Sequence, residues 1–76
     1  MADQELDARR LTCPLPVMRA AKIMLAMKVG QTLRVLATDP ATVQDFDAYV
    51  RGSGNVLLES KKTPKGDFEF LLKRAK

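Results

Sequence analysis

The sequence predicts a two-layer α/β (α+β) sandwich in the order βαβαββ, and three observations carry that reading. The apolar residues switch between the three-and-four spacing of a helix and the alternation of a strand. Each of two helical stretches follows a strand and starts beside a proline, at Cys13-Pro14 and at Asp39-Pro40. The last third of the chain holds two alternating segments joined by the turn TPKGD.

Taken in order, ELDAR is a short strand in which Leu6 and Ala8 face inward. PVMRAAKIMLAMKV, residues 16–29, is rich in helix formers, and Val17, Ala20, Ala21, Met24 and Met27 fall on one face. Met18 and Leu25 widen that apolar stripe, Arg19, Lys22 and Ala26 lie outside it, and Gly30 is a natural stop. TLRVLAT alternates as a strand with Leu33, Val35 and Ala37 on one side and a second face that is partly apolar. In DPATVQDFDAYVRGSGN, Asp39 suits the N-cap and Pro40 the first helical position. Val43, Phe46 and Val50 recur at helical intervals, and GSG at residues 52–54 ends the helix. VLLESKK and FEFLLKR are the final strands, with Phe68, Phe70 and Leu72 sharing a buried face. Right-handed crossovers make the early strands parallel and the short turn makes the last pair antiparallel, so the sheet is mixed. Two helices suffice to cover one of its faces.

Seventy-six residues predict a single domain, 1–76, with a modest core. One Cys and no His exclude an intramolecular disulfide and a cysteine-histidine metal site, so packing must supply the stability. MADQELDARR lacks the pattern of a secretory signal, and the longest apolar run, Ile23 to Met27, is too short for a bilayer. A soluble, cytoplasmic protein without a membrane association is the expectation. A net charge of +4 favours anionic partners without choosing one; the basic residues gather at Arg9 and Arg10, at Lys61, Lys62 and Lys65, and at Lys73, Arg74 and Lys76. The absence of histidine removes every mechanism in which a His deprotonates a nucleophile.

Cys13 is the candidate site. Compared with Asp39 at the other helix start, a cysteine is a poor cap, a loss of roughly 1 kcal/mol. The helix begins either at Pro14, with Cys13 as its cap, or at Pro16, with Cys13 in the loop before it, because Leu15 precedes a proline. Either placement sets the sulfur near the positive end of the helix dipole, which favours the thiolate, and Arg9 and Arg10 add positive potential. Pro14 and Pro16 restrict the direction in which the side chain is presented. Unpaired cysteines are often inert packing; a loop between two prolines is a poor place for core filling, which tips the balance toward a reactive thiol.

LDARRLTCPLPVMRAAK, ATDPATVQDF and the ending FEFLLKR together resemble the TusA/SirA family of small sulfur-carrier proteins, in which a CPxP motif opens the first helix. The likeness runs from about Leu6 to Arg74. It implies two helices on one face of a four-stranded mixed sheet in strand order 1243, with the last strand antiparallel to the others. It also implies that Cys13 carries a persulfide, taken from a cysteine desulfurase or a rhodanese-like donor and passed to an acceptor protein, with Pro14, Leu15 and Pro16 shaping the loop. The pathways such carriers serve are tRNA thiolation, molybdenum cofactor supply and sulfur oxidation. Arg9, Arg10, Arg19, Lys22, Lys73 and Arg74 are candidate docking residues. Asp39 is expected to cap its helix, and Asp45, which matches a recurrent acidic position, to be solvated or to face a partner. No cofactor, metal or direct nucleic-acid contact is implied.

Two departures from the family pattern stand out. Arg10 occupies a position that is commonly Gly, so a positive backbone angle there would be strained by the side chain. Leu15 stands where the branch serving tRNA thiolation often has Glu. Two other functions remain open at this point: a basic nucleic-acid-binding module, disfavoured by the few aromatic residues, and a regulatory protein that keeps the scaffold without moving sulfur.

Overall fold

The computed structural model describes residues 2–76. Its elements follow the expected order: β1 (Gln4–Ala8), α1 (Leu15–Leu25), β2 (Thr32–Ala37), α2 (Thr42–Ser53), β3 (Val56–Lys62) and β4 (Phe68–Lys73). The strands form one sheet in the order β1-β2-β4-β3. β1 and β2 are parallel, with Leu6 opposite Val35. β4 runs antiparallel to β2, with Phe70 opposite Val35, and antiparallel to β3. The 1243 order and the reversed last strand agree with what the family resemblance implies.

Alternation sorts the sheet into two unlike faces. Leu33, Val35 and Ala37 of β2 and Phe70 and Leu72 of β4 are fully buried beneath the helices. The rings of Phe46 on α2 and Phe70 on β4 lie 4.6 Å apart and tie helix to sheet at the centre of the core. On the uncovered face, Arg34 and Lys61 pair with Glu69, and Lys61 also with Glu59. Leu36 and Leu71 are half-buried between these charges. β3 forms the outer edge, where a register shift between Leu57 and Glu59 and the exposed Lys61 and Lys62 blunt it.

Both helices are shorter than the sequence suggests. α1 ends at Leu25 rather than near Val29, because Ala26 and Met27 donate their amides to the carbonyls of Ile23 and Met24 in a tighter final turn. Met27 remains buried beyond the helix end. Met18 and Leu25 do not widen the buried stripe: they are 59% and 77% exposed, since α1 turns only one side to the sheet. α2 starts at Thr42 rather than Pro40, because Thr42 and Val43 donate to the carbonyls of Asp39 and Pro40, a three-residue spacing that precedes the regular helix. Val43, expected on the inner face, is 39% exposed, whereas Phe46 is buried. α2 closes on Gly54 at φ 81°, a left-handed cap in which a side chain would be strained and would also meet Lys76.

Candidate functional site

Strand polarity decides which loops meet. The carboxyl ends of the parallel strands β1 and β2 lie side by side, so the loops that follow them, residues 9–14 and 38–41, share one end of the molecule. Two hydrogen bonds join the loops: the Arg10 amide donates to Thr38 Oγ1 at 3.0 Å, and the Cys13 amide donates to Asp39 Oδ2 at 2.8 Å. Ligand sites of α/β sheets characteristically form at such a strand end.

Pro14 is the N-cap of α1, Leu15 the first helical residue and Pro16 a buried second one. Cys13 therefore lies one residue outside the cap, between the two placements the prolines allow. Its side chain is exposed, and the Cys13-Pro14 peptide is cis. The neighbouring Leu15 and Met18 are 40% and 59% exposed, which gives the sulfur an apolar flank on α1.

Asp39 works at both helix entrances. Its Oδ1 accepts the Ala41 amide at 2.9 Å in a turn just before the helix, because α2 starts late and Ala41 rather than Asp39 holds the N-cap position, while Oδ2 holds the Cys13 amide. These backbone donors keep the Asp39 carboxyl below its ordinary value. Asp45, in the first turn of α2, is half-buried rather than solvated, and its carboxylate lies close enough to the Cys13 thiol to act on its proton. Its Oδ2 is buried without a donor in ordinary hydrogen-bond geometry.

The local electrostatics run against the expectation of a favoured thiolate. The Cys13 thiol is pushed above its ordinary value, first by its hydrogen bond to Asp45, then by partial desolvation, and then by the negative charges of Asp45 and Asp39. These local carboxylates act against the field of the helix. Arg9 does not offset them, because its guanidinium bonds Asp7 at 2.9 and 2.8 Å and also faces Asp67. That pairing draws the Asp7 carboxyl down to about 2. Arg10 adopts φ 74°, the positive angle that a side chain strains.

The other candidate docking residues divide between the two ends. Arg19 and Lys22 are exposed on α1. Lys73 lies opposite Thr32, at the start of β2, and so at the end of the sheet remote from Cys13. Arg74 is near that end too, where its guanidinium donates to the carbonyls of Met24, Leu25 and Met27 and caps α1. By contrast, the β3-β4 turn returns to the Cys13 end, bringing the exposed Lys62 and Lys65 with it. The antiparallel direction of β4 was the available signal for this division. Nothing local in the sequence marks Asp45 as a neighbour of the thiol.

A family model described as Sulfurtransferase TusA matches residues 4–74. The chain belongs to the TusA family. It is 55% identical over 73 residues to the sulfur carrier protein TusA of Allochromatium vinosum, covering 96% of this chain and 95% of that protein. It is 44% identical over 62 residues to a putative sulfur carrier protein of Neisseria meningitidis, covering 82% and 84% of the two chains. The crystal structure of a SirA-like protein from Desulfitobacterium hafniense superposes with a TM-score of 0.85 at 24% identity, covering 96% and 99%, and shares the fold. Among the described residues, no helix is long and apolar enough to cross a membrane.

Proposed function

We propose that this TusA-family chain is a sulfur carrier that accepts sulfane sulfur as a persulfide on Cys13 and relays it to an acceptor protein. The observation that carries the reading is an exposed thiol on a loop tied by its own amide to Asp39, at the shared carboxyl end of two parallel strands. A protein substrate suits such a site, since the cysteine is exposed on a loop whose backbone is fixed.

In loading, the Cys13 thiolate attacks the terminal sulfur of a donor persulfide. The new Sγ–S bond forms as the donor's S–S bond breaks, and the donor sulfur leaves with the electron pair, then takes up a proton equivalent to the one Cys13 released. Unloading is the same exchange with an acceptor thiolate as the attacking group. Neither step requires a histidine, because reaction at sulfur depends on the attacking thiolate, the leaving thiolate and access.

The donor class is a cysteine desulfurase or a rhodanese-like protein, and the activity is that of a sulfurtransferase of the carrier type. Leu15, Met18, Lys62 and Lys65 supply an apolar and basic rim at the Cys13 end for such partners. Incubation with a cysteine desulfurase and cysteine, or with a rhodanese and thiosulfate, should add the mass of one sulfur atom to the intact chain, removable by reductant. Absence of the adduct from the whole donor panel, or an equal adduct on Cys13→Ser, would overturn the reading.

A further inference from the structure

We infer that Asp45 is a positioning residue that guards the sulfur: its carboxylate, set against Cys13 by the first turn of α2, makes the free carrier's thiol a reluctant nucleophile until a docked donor brings a cation to it. The inference rests on Cys13 being the sulfur-accepting residue.

The geometry is specific. Asp45 is held in place by a helical bond from its amide to the Ala41 carbonyl and by its neighbour Phe46, which is locked in the core. Its Oδ2 is, among the described residues, the buried side-chain oxygen that lacks a donor. A buried acceptor left unpaired is costly, and here it stands beside the one thiol of the chain. Burial and the missing donor are what a carboxylate awaiting a partner's N–H would show.

Arg9 on the β1-α1 loop is committed to Asp7 and Asp67. Arg10 on that loop and the exposed Arg19 and Lys22 on α1 leave the buried Asp45 Oδ2 without a donor, whereas Asp45 in the first turn of α2 and Asp39 before it both disfavour the thiolate. The positive charge needed to release the thiolate therefore has to come from outside, as a Lys or Arg near the donor's persulfide. An uncharged or anionic small molecule brings none and meets the guarded state.

The test compares wild type, Asp45→Asn, Asp45→Ser and Asp45→Glu, with Asp47→Asn as a surface-charge control and circular dichroism to establish folding. Iodoacetamide alkylation of Cys13 across pH reports the thiolate. Asp45→Asn and Asp45→Ser should move the profile to lower pH and raise the rate several-fold near neutrality, while Asp45→Glu restores the wild-type direction and Asp47→Asn leaves it unchanged. A cationic and an anionic methanethiosulfonate, each forming a mixed disulfide with release of methanesulfinate, are then compared after normalisation to their rates with glutathione. Wild type should favour the cationic reagent, and Asp45→Asn should narrow the preference several-fold. An unchanged pH profile and an unchanged charge preference in both Asn and Ser variants would overturn the proposal.

The donor arm uses a cysteine desulfurase with cysteine. Loading of Asp45→Asn should gain less than its alkylation does, because the docked donor already relieves the guard in wild type; gains in parallel would refute relief by the donor. Failure of every donor to load wild type would instead sink the carrier reading, while the two chemical probes would still decide whether Asp45 restrains the thiol.

Discussion

Arg10 sits at φ 74°, a region in which an L-residue with a side chain is held at a cost of about 1–2 kcal/mol. Arg10→Gly should therefore stabilise the chain by up to about 1 kcal/mol, after the greater freedom of glycine in the unfolded state is set against the relief. The melting midpoint should rise by a few degrees. At Asp39 the prediction concerns pH. Two backbone donors hold its carboxyl below the ordinary range, so its stabilising effect is fully present above the unfolded value near pH 4 and disappears as pH falls through the lower folded value. Denaturant midpoints of wild type and Asp39→Ala should thus differ at neutral pH and converge in acid. Cys13 itself was legible because it is the lone thiol, flanked by prolines; its protonation was not. The helix dipole belongs to the adjoining helix and is visible locally, whereas Asp45 arrives from a distant part of the chain through the packing of α2.

At the scale of elements, the interiors of helices and strands were readable from their periods, and the ends were not. For four residues beyond α1, Ala26 to Val29, a run of apolar and helix-forming side chains reads as more helix, yet the turn tightens under a guanidinium that comes from the other end of the sequence. Arg74 thereby joins the last strand to the first helix. Arg74→Ala should cost about 1.5–3 kcal/mol, the range for hydrogen bonds from a charged donor, and thermal unfolding would register it. Its exposure is intermediate, so the lower part of that range is the better expectation. Cys13 alkylation should be unaffected, because Arg74 belongs to the opposite end of α1. The entrance of α2 shows the same contrast: Asp39 was recognisable as an acceptor there, though the cap itself falls on Ala41, and its second oxygen reaching across to Cys13 depends on β1 and β2 being neighbours.

For the molecule as a whole, a chain of 76 residues commands only roughly 4–11 kcal/mol of stability at 0.05–0.15 kcal/mol per residue. Phe46→Ala, which empties the contact with Phe70 at the centre of the core, should cost about 3–5 kcal/mol. Urea titration should accordingly show a large part of that variant unfolded at low denaturant. The two-layer architecture followed from alternating periods, since the buried residues of β2 and β4 were recognisable by parity alone. Strand order did not: a hairpin places β3 beside β4, but residue period is silent on which of them meets β2, and the order came from the family resemblance. That order has a consequence for synthesis. β4 fills the gap between β2 and β3, so while the ribosome is still making the segment before Phe68, β1 and β2 can associate but β3 has no strand to join. The sheet therefore completes only as its final strand emerges, and a nascent chain stalled before that point would present β2 as an unpaired edge to the chaperones around it.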